Sequence, residues 1–375
     1  MGPKSSLSRQ VKETLQPAKT HSYRKYLEFV LLCLLASALL WFFGRNLDWV
    51  AVRRSVADSN PYLLAIAVAI ISVAYLFRAY RWGALLRPIV SAKLPDLFAA
   101  TTIGFGAVFL IGRTGEVVRP VVLPMRDPRV RPSASFVTIM VERLYDMIAV
   151  VVMFAVNLLW FKPTNFLGNE YEKVRLVGIV LLICAVVTVA TLMWFRKNSV
   201  RVVSALDRLF KRLHFIPARL VKLIISTLEQ LARALRVLVN FRELAETIGW
   251  TVLLWFGVAI ANVLVIRAFG LPFGLTETIF VLGWSLVGSL VPTPGGAAGA
   301  YHAATGAGLL FLGVSKETAA AISIVMGLVD FGPAAVFGLF YFLRGDVSLS
   351  RLRALASPEA VEHSVEDEAL APDQI

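Results

Sequence analysis

The sequence predicts an all-α, polytopic membrane helical bundle, and three observations carry that prediction. The 375 residues are 57% hydrophobic and 17% charged, with a mean hydropathy of +0.71; a water-soluble domain of this length needs more polar surface. Several apolar runs approach or exceed the roughly 20 residues that cross a bilayer as helix. The alternating strand pattern of a membrane barrel is absent.

Composition also narrows the chemistry. Cys33 and Cys184 each lie inside an apolar run, and His21, His214, His302 and His363 are scattered. No CxxC, HExxH, P-loop or strand-linked GxGxxG pattern occurs, so no metal and no cofactor is expected. The net charge of +13 is read as topology and contact with anionic lipid headgroups, with no nucleic-acid partner.

The elements follow in chain order. Residues 1–26 are a basic N-terminal segment with six Lys or Arg and one acid. The apolar run that starts near Leu27 lacks an AxA-type cleavage site and is read as a retained helix. Full spans are predicted at about 27–44, 62–86, 133–161, 175–195, 247–269 and 318–343. Two broken hydrophobic elements lie between them, at about 96–125 and 277–313. Residues 119–131 carry four basic residues, and residues 196–246 carry eleven against four acids. The positive-inside rule places both segments and both termini in the cytoplasm.

Six full spans satisfy that placement only if each broken element enters and leaves on one side. Leu97 to Ile111 is 15 residues, about 22 Å of helix against about 30 Å of hydrocarbon. We expect two re-entrant hairpins entering from opposite faces, turning at GRTGE and at VPTPGG; eight full crossings is the competing count. Backbone that breaks at membrane depth must be buried in protein or line a wet cavity, and paired breaks are a transporter feature. Residues 196–246 repeat leucines at three- and four-residue spacing with basic residues between, the pattern of amphipathic helices on the cytoplasmic surface. Residues 344–375 form a polar, acidic tail.

Four clusters bear on mechanism. Arg78 and Arg81 lie one helical turn apart at the end of the second span, where snorkelling to the interface is the bland alternative. Arg113, Glu116 and Arg119 sit at the first break beside Gly112 and Gly115. Glu142, Arg143 and Asp146 lie about ten residues into the third full span; there a charge costs at least a few kcal/mol unless paired or hydrated. They form either an ion pair between helices or part of a polar site. At the second break, Gly295 and Gly296 permit an open turn, and Tyr301 and His302 follow one turn inside. Asp330 is a further carboxylate, facing a cavity or pairing with an arginine. Arginines that pair bidentately with phosphate, set between two broken helices, point to an amphiphile with an anionic head: a phospholipid or a polyprenyl phosphate.

The ordered set R-x-x-RW (78–82), GRTGEVVRP (112–120), VERLYD (141–146) and VPTPGG (291–296) resembles the lysylphosphatidylglycerol synthetase transmembrane-region family, across about 27–343. The resemblance implies an integral bundle with two re-entrant hairpins and flippase-like activity. In two-domain members it implies translocation of aminoacylated phosphatidylglycerol. It assigns Arg113, Glu116, Arg119, Glu142 and Arg143 to a shared polar core. Two departures stand out. About 30 mostly polar residues follow Leu343, so lipid aminoacylation by this chain is not expected. Tyr301-His302 stands where many members carry a Glu shortly after the Pro-Gly-Gly turn; His302 is a candidate switch or a satisfied interior histidine.

The expectation is a transporter-like integral protein of the inner cell membrane, partnered by its lipid cargo and able to form homo-oligomers. No nucleotide site is visible, which leaves passive or proton-coupled exchange. A membrane enzyme on lipid-linked substrates is the alternative, and a non-transporting scaffold for envelope biosynthesis is the third reading.

Overall fold

A computed structural model describes residues 47–111, 115–116, 118–160, separate positions between 176 and 208, 241–289 and 298–346. Every element among the described residues is helical. In chain order they are α1 (Trp49–Ala57), α2 (Pro61–Leu86), α3 (Leu94–Ile111), α4 (Val118–Arg126), α5 (Pro132–Trp160), α6 (Phe241–Ala268), α7 (Leu275–Ser289), α8 (Ala298–Phe311) and α9 (Lys316–Tyr341), followed by a π-helical turn, Phe342–Asp346.

Side chains start several of these helices. Asp48 accepts from the Val50 and Ala51 amides, Asn60 from Tyr62 and Leu63, and Ser315 from Thr318. Each cap satisfies amides that have no partner inside the helix. Beyond the caps the chain is apolar, and in hydrocarbon only internal hydrogen bonding satisfies the backbone.

Three described helices are long and apolar enough to cross a membrane: Pro61–Leu86, Glu243–Ala268 and Lys316–Arg344. They correspond to the expected spans at 62–86, 247–269 and 318–343. The segment expected as a span at 133–161 is the helix α5, which carries Glu142, Arg143 and Asp146 and is not one of those three. The expected span at 27–44 and the amphipathic run between 209 and 240 lie outside the described residues; so does the tail from 347 onward. Separate described positions between 176 and 208 are helical. Helix α6 begins at Phe241, so the last six residues of the expected surface segment belong to it. The sequence reading had no element at α1.

Each broken element folds back on itself as an antiparallel helical hairpin. In the first, Arg126 of α4 bonds Asp96 at the start of α3 at 3.0 Å. Near the turn, Gly115 comes so close to α3 that a Cβ there would stand 2.5 Å from the Ala107 carbonyl carbon. In the second, Phe280 of α7 packs on Phe311 at the end of α8, with ring centres 5.2 Å apart. Thr305 donates to Ser285 at 2.8 Å. At Gly288 a Cβ would stand 2.5 Å from the Ala300 oxygen, so only glycine admits this helix contact.

Helix α9 joins the two hairpins, which reach it from opposite ends. Phe98, early in α3, packs on Phe337 and Tyr341 at the C-terminal end of α9. Phe109, late in α3, packs on Phe331 at 6.1 Å. Helix α8 ends at Phe311, just before α9 begins, and its start returns to mid-α9, where Tyr301 meets Phe331 at 6.2 Å. Phe331 thus touches the residue two before the end of α3 and a residue at the start of α8. The adjacent Asp330 lies about 21 Å along α9 from Lys316 and about 17 Å from Tyr341 at 1.5 Å per residue. The described residues that flank the two breaks, Phe109 and Tyr301, thus meet near the middle of a membrane-length helix.

Candidate functional site

The charged side chains divide into two groups. The first is built on α5, where Glu142 and Asp146 are four residues apart and share a face. Arg81 of α2 reaches both. Its Nη1 donates to Asp146 Oδ1 at 2.6 Å and to Thr251 Oγ1 at 3.3 Å. Its Nη2 donates to Glu142 Oε1 at 2.9 Å and to Asp146 Oδ2 at 3.0 Å. Arg119 of α4 forks onto Glu142, Nη1 to Oε1 at 3.1 Å and Nη2 to Oε2 at 3.0 Å. Trp255 of α6 donates to Asp146 Oδ1 at 3.1 Å. The Arg119 guanidinium lies over the Trp82 ring, 4.5 Å from its centre, and Trp82 in turn donates to Thr138 at 3.0 Å.

All four of these charged residues are buried, with exposures of 0, 1, 1 and 6% for Arg81, Arg119, Glu142 and Asp146. Two guanidinium groups and two carboxylates sum to zero. Removing one member would strand a charge in low dielectric. The snorkelling alternative for Arg81 is excluded by its burial. Helices α2, α4 and α5 are tied together here, so the ion pair between helices and the polar centre are one structure.

The second group is less buried and less satisfied. Arg143 follows Glu142 directly, so it points about 100° around α5. It does not join the two carboxylates of the quartet. It meets Glu116 at 3.4 Å, and both side chains are about one-third exposed, at 34% and 33%. Arg78 is partly buried. Its guanidinium stacks 4.6 Å from the centre of the Phe105 ring and 5.7 Å from that of Tyr75. Among the described residues, no carboxylate lies within ion-pair distance of Arg78. Phe105 also carries Arg143 and Arg119 at 5.5 and 5.3 Å, so three guanidinium groups gather on one ring. A guanidinium held by its face keeps its in-plane N–H donors free for an anion.

Asp330 completes this second group. Its Oδ1 accepts from Asn262 Nδ2 at 3.1 Å, and its Oδ2 accepts from the Tyr301 hydroxyl at 3.2 Å. Its backbone oxygen accepts from the Tyr75 hydroxyl at 2.8 Å. Tyr75 therefore touches both Arg78 and Asp330. His302 turns aside: its Nδ1 faces the Ser323 carbonyl at 3.0 Å. That acceptor assigns the ring proton to Nδ1.

Of the residues singled out from sequence, Arg81, Arg119, Glu142 and Asp146 come together in the buried quartet. Arg78, Glu116 and Arg143 are partly buried beside it, and Tyr301 and Asp330 meet each other. Arg113, Gly295 and Gly296 lie outside the described residues. Tyr75, Phe105, Thr251, Trp255 and Asn262 were missed. Asn262 carried a signal, as an amide in the middle of the apolar 28-residue α6. Phe105 carried none among 24 phenylalanines.

A family model described as the lysylphosphatidylglycerol synthase TM region matches residues 29–338. The UPF0104 membrane protein PH1989 of Pyrococcus horikoshii is 24% identical over 341 residues, spanning 84% of this chain and 95% of that protein.

Proposed function

Since the chain belongs to the lysylphosphatidylglycerol synthase transmembrane-region family and is an integral membrane protein, we propose that it is a lipid translocator. The cargo is a lipid with an anionic phosphate head, either a phospholipid, aminoacylated or not, or a polyprenyl phosphate. The observation that carries this reading is Arg78, a partly buried guanidinium on an apolar helix with no carboxylate within ion-pair distance among the described residues. A charge so placed costs at least a few kcal/mol unless paired or hydrated, and a phosphate repays that cost with bidentate bonds.

Arg78 and Arg143 hold the phosphate in this reading. Arg119 is a positioning residue, because both of its Nη groups are already bonded to Glu142. The two hairpins are re-entrant, and the headgroup passes beside Asp330 and Phe331, where α3 and α8 meet α9, while the acyl chains stay in lipid. The basic segments 119–131 and 196–246 favour an inner-membrane protein with cytoplasmic termini. The shared polar core that the family resemblance implies, Arg113, Glu116, Arg119, Glu142 and Arg143, fits the same passage.

The test is reconstitution of the purified protein into vesicles carrying tail-labelled phospholipids or polyprenyl phosphates. Faster leaflet exchange than in protein-free vesicles, lost in Arg78→Ala, is expected. Exchange unchanged for every anionic lipid tried would overturn the reading.

A further inference from the structure

We infer that Asp330 is a proton-binding site whose occupancy is linked to the headgroup at Arg78. The inference rests on the translocator reading and adds an energy source to it. Asp330 stands apart from the other carboxylates at membrane depth. Glu142 and Asp146 are closed off by guanidinium groups, and Glu116 faces Arg143. Asp330 has two neutral donors, Asn262 and Tyr301, and no ion pair among the described residues.

Those two donors suit both protonation states with no more than a rotation of the Tyr301 hydroxyl. The ionised carboxylate accepts from the Asn262 amide and the Tyr301 hydroxyl. The neutral acid donates from Oδ2 to the Tyr301 oxygen once that hydroxyl rotates, while Oδ1 still accepts from Asn262. A hydroxyl partner permits this exchange of roles; a guanidinium, which only donates, does not. Asp330 is also only partly buried, as are Arg78 and Arg143.

The surrounding charges supply the linkage. From α2, Tyr75 and Arg78 face Asp330, with Tyr75 bonded to its backbone and Arg78 near enough to exert its charge there. From α8, Tyr301 faces it, and His302 is turned to Ser323. Helix α6 offers Asn262, which does not titrate. Helix α3 carries Asp96, which is bonded to Arg126 at the far end. Helix α1 packs against Ala320 and Ala321, away from Asp330. Arg119 and Arg143, from α4 and α5, lie within electrostatic range of Tyr75. Arg78 is thus the positive charge best placed to compensate ionised Asp330. When a lipid phosphate takes Arg78, that compensation is cancelled and Asp330 takes a proton from water. Release of the lipid returns the proton.

The experiment holds a pH gradient across vesicles containing the protein and tail-labelled phosphatidylglycerol, and reads the label's leaflet distribution. One proton per lipid and a gradient of one pH unit bias the distribution by up to about tenfold. The expected result is a bias above that of protein-free vesicles, lost in Asp330→Asn and kept in Asp330→Glu. Should Asp330→Asn not fold, Tyr301→Phe removes the hydroxyl that exchanges roles, and a reduced bias is expected. Exchange that proceeds to an even distribution despite the gradient overturns this inference alone. So does a bias that follows a sodium gradient instead. No exchange at all overturns the translocator reading and this inference with it.

Discussion

The quartet of Arg81, Arg119, Glu142 and Asp146 and the rim of Arg78, Arg143, Glu116 and Asp330 share helices α2 and α5 and contain the same residue types. In the quartet both Nη groups of each arginine bond a carboxylate, at 2.6–3.1 Å, and burial is nearly complete. In the rim the one ion pair is longer, at 3.4 Å, its members are one-third exposed, and Arg78 rests on aromatic faces. The difference teaches how a membrane protein separates holding from handling. Charges that fix the helices neutralise one another and exclude water. Under the proposed function, the charges that meet the lipid head are the ones left short of partners and kept in place by neighbouring rings.

That contrast is broken most severely by changing Glu142. Glu142→Gln weakens the partner of both Arg81 and Arg119, and loss of one member of a buried pair costs about 3–5 kcal/mol. Thermal unfolding in detergent should show a large fall in Tm or no folded protein; a wild-type Tm would dismiss the structural role of the quartet. Arg78→Ala should do the reverse. Leaflet exchange should fall by about tenfold or more, the loss of one charge-assisted bond of about 1.5–3 kcal/mol, with little change in Tm. Arg78→Lys should recover part of the exchange, because a point charge replaces a planar fork.

Glu116→Gln sharpens the comparison from the rim side. Arg143 is freed from a partly exposed pair worth about 0–1 kcal/mol, so exchange should change by no more than a few-fold and Tm hardly at all. A collapse of stability in this variant would place Glu116 with the quartet.

The smallest effect lies in the connection between α4 and α5, where Arg129 bonds Asp127 at 2.7 and 2.9 Å and holds its carboxyl below the usual carboxylate range. A carboxylate with a depressed folded pKa contributes stability above its unfolded value and loses it as pH falls through the folded one. Arg129→Ala should therefore lower Tm slightly at neutral pH, and the gap to wild type should close on acidification. A gap that widens in acid would contradict the pairing.

Much of the architecture was legible in the sequence because apolar run length and Gly/Pro breaks are local signals. The helix expected at 318–343 is observed at Lys316–Tyr341, and both broken elements are observed as helix pairs. Partner choice was not legible. Arg78 and Arg81 lie one turn apart on α2, yet Arg81 meets the carboxylates of α5 and Arg78 meets Phe105 of α3. Adjacent Glu142 and Arg143 diverge because neighbouring residues on a helix point different ways. These outcomes depend on which helix stands opposite, which one-dimensional spacing does not encode. Asn262 was readable in principle, since an amide in an apolar span needs a partner.

The central claim is that a lipid phosphate sits on the rim and not in the quartet. Electron cryomicroscopy of the protein in nanodiscs containing phosphatidylglycerol tests it most directly. The account predicts headgroup density within about 4 Å of the Arg78 guanidinium, between the tips of the two hairpins, with Arg119 still forked onto Glu142. A bare Arg78 with the phosphate bound to Arg119 or Arg81, or hydrocarbon packed between the two hairpin tips, would contradict it.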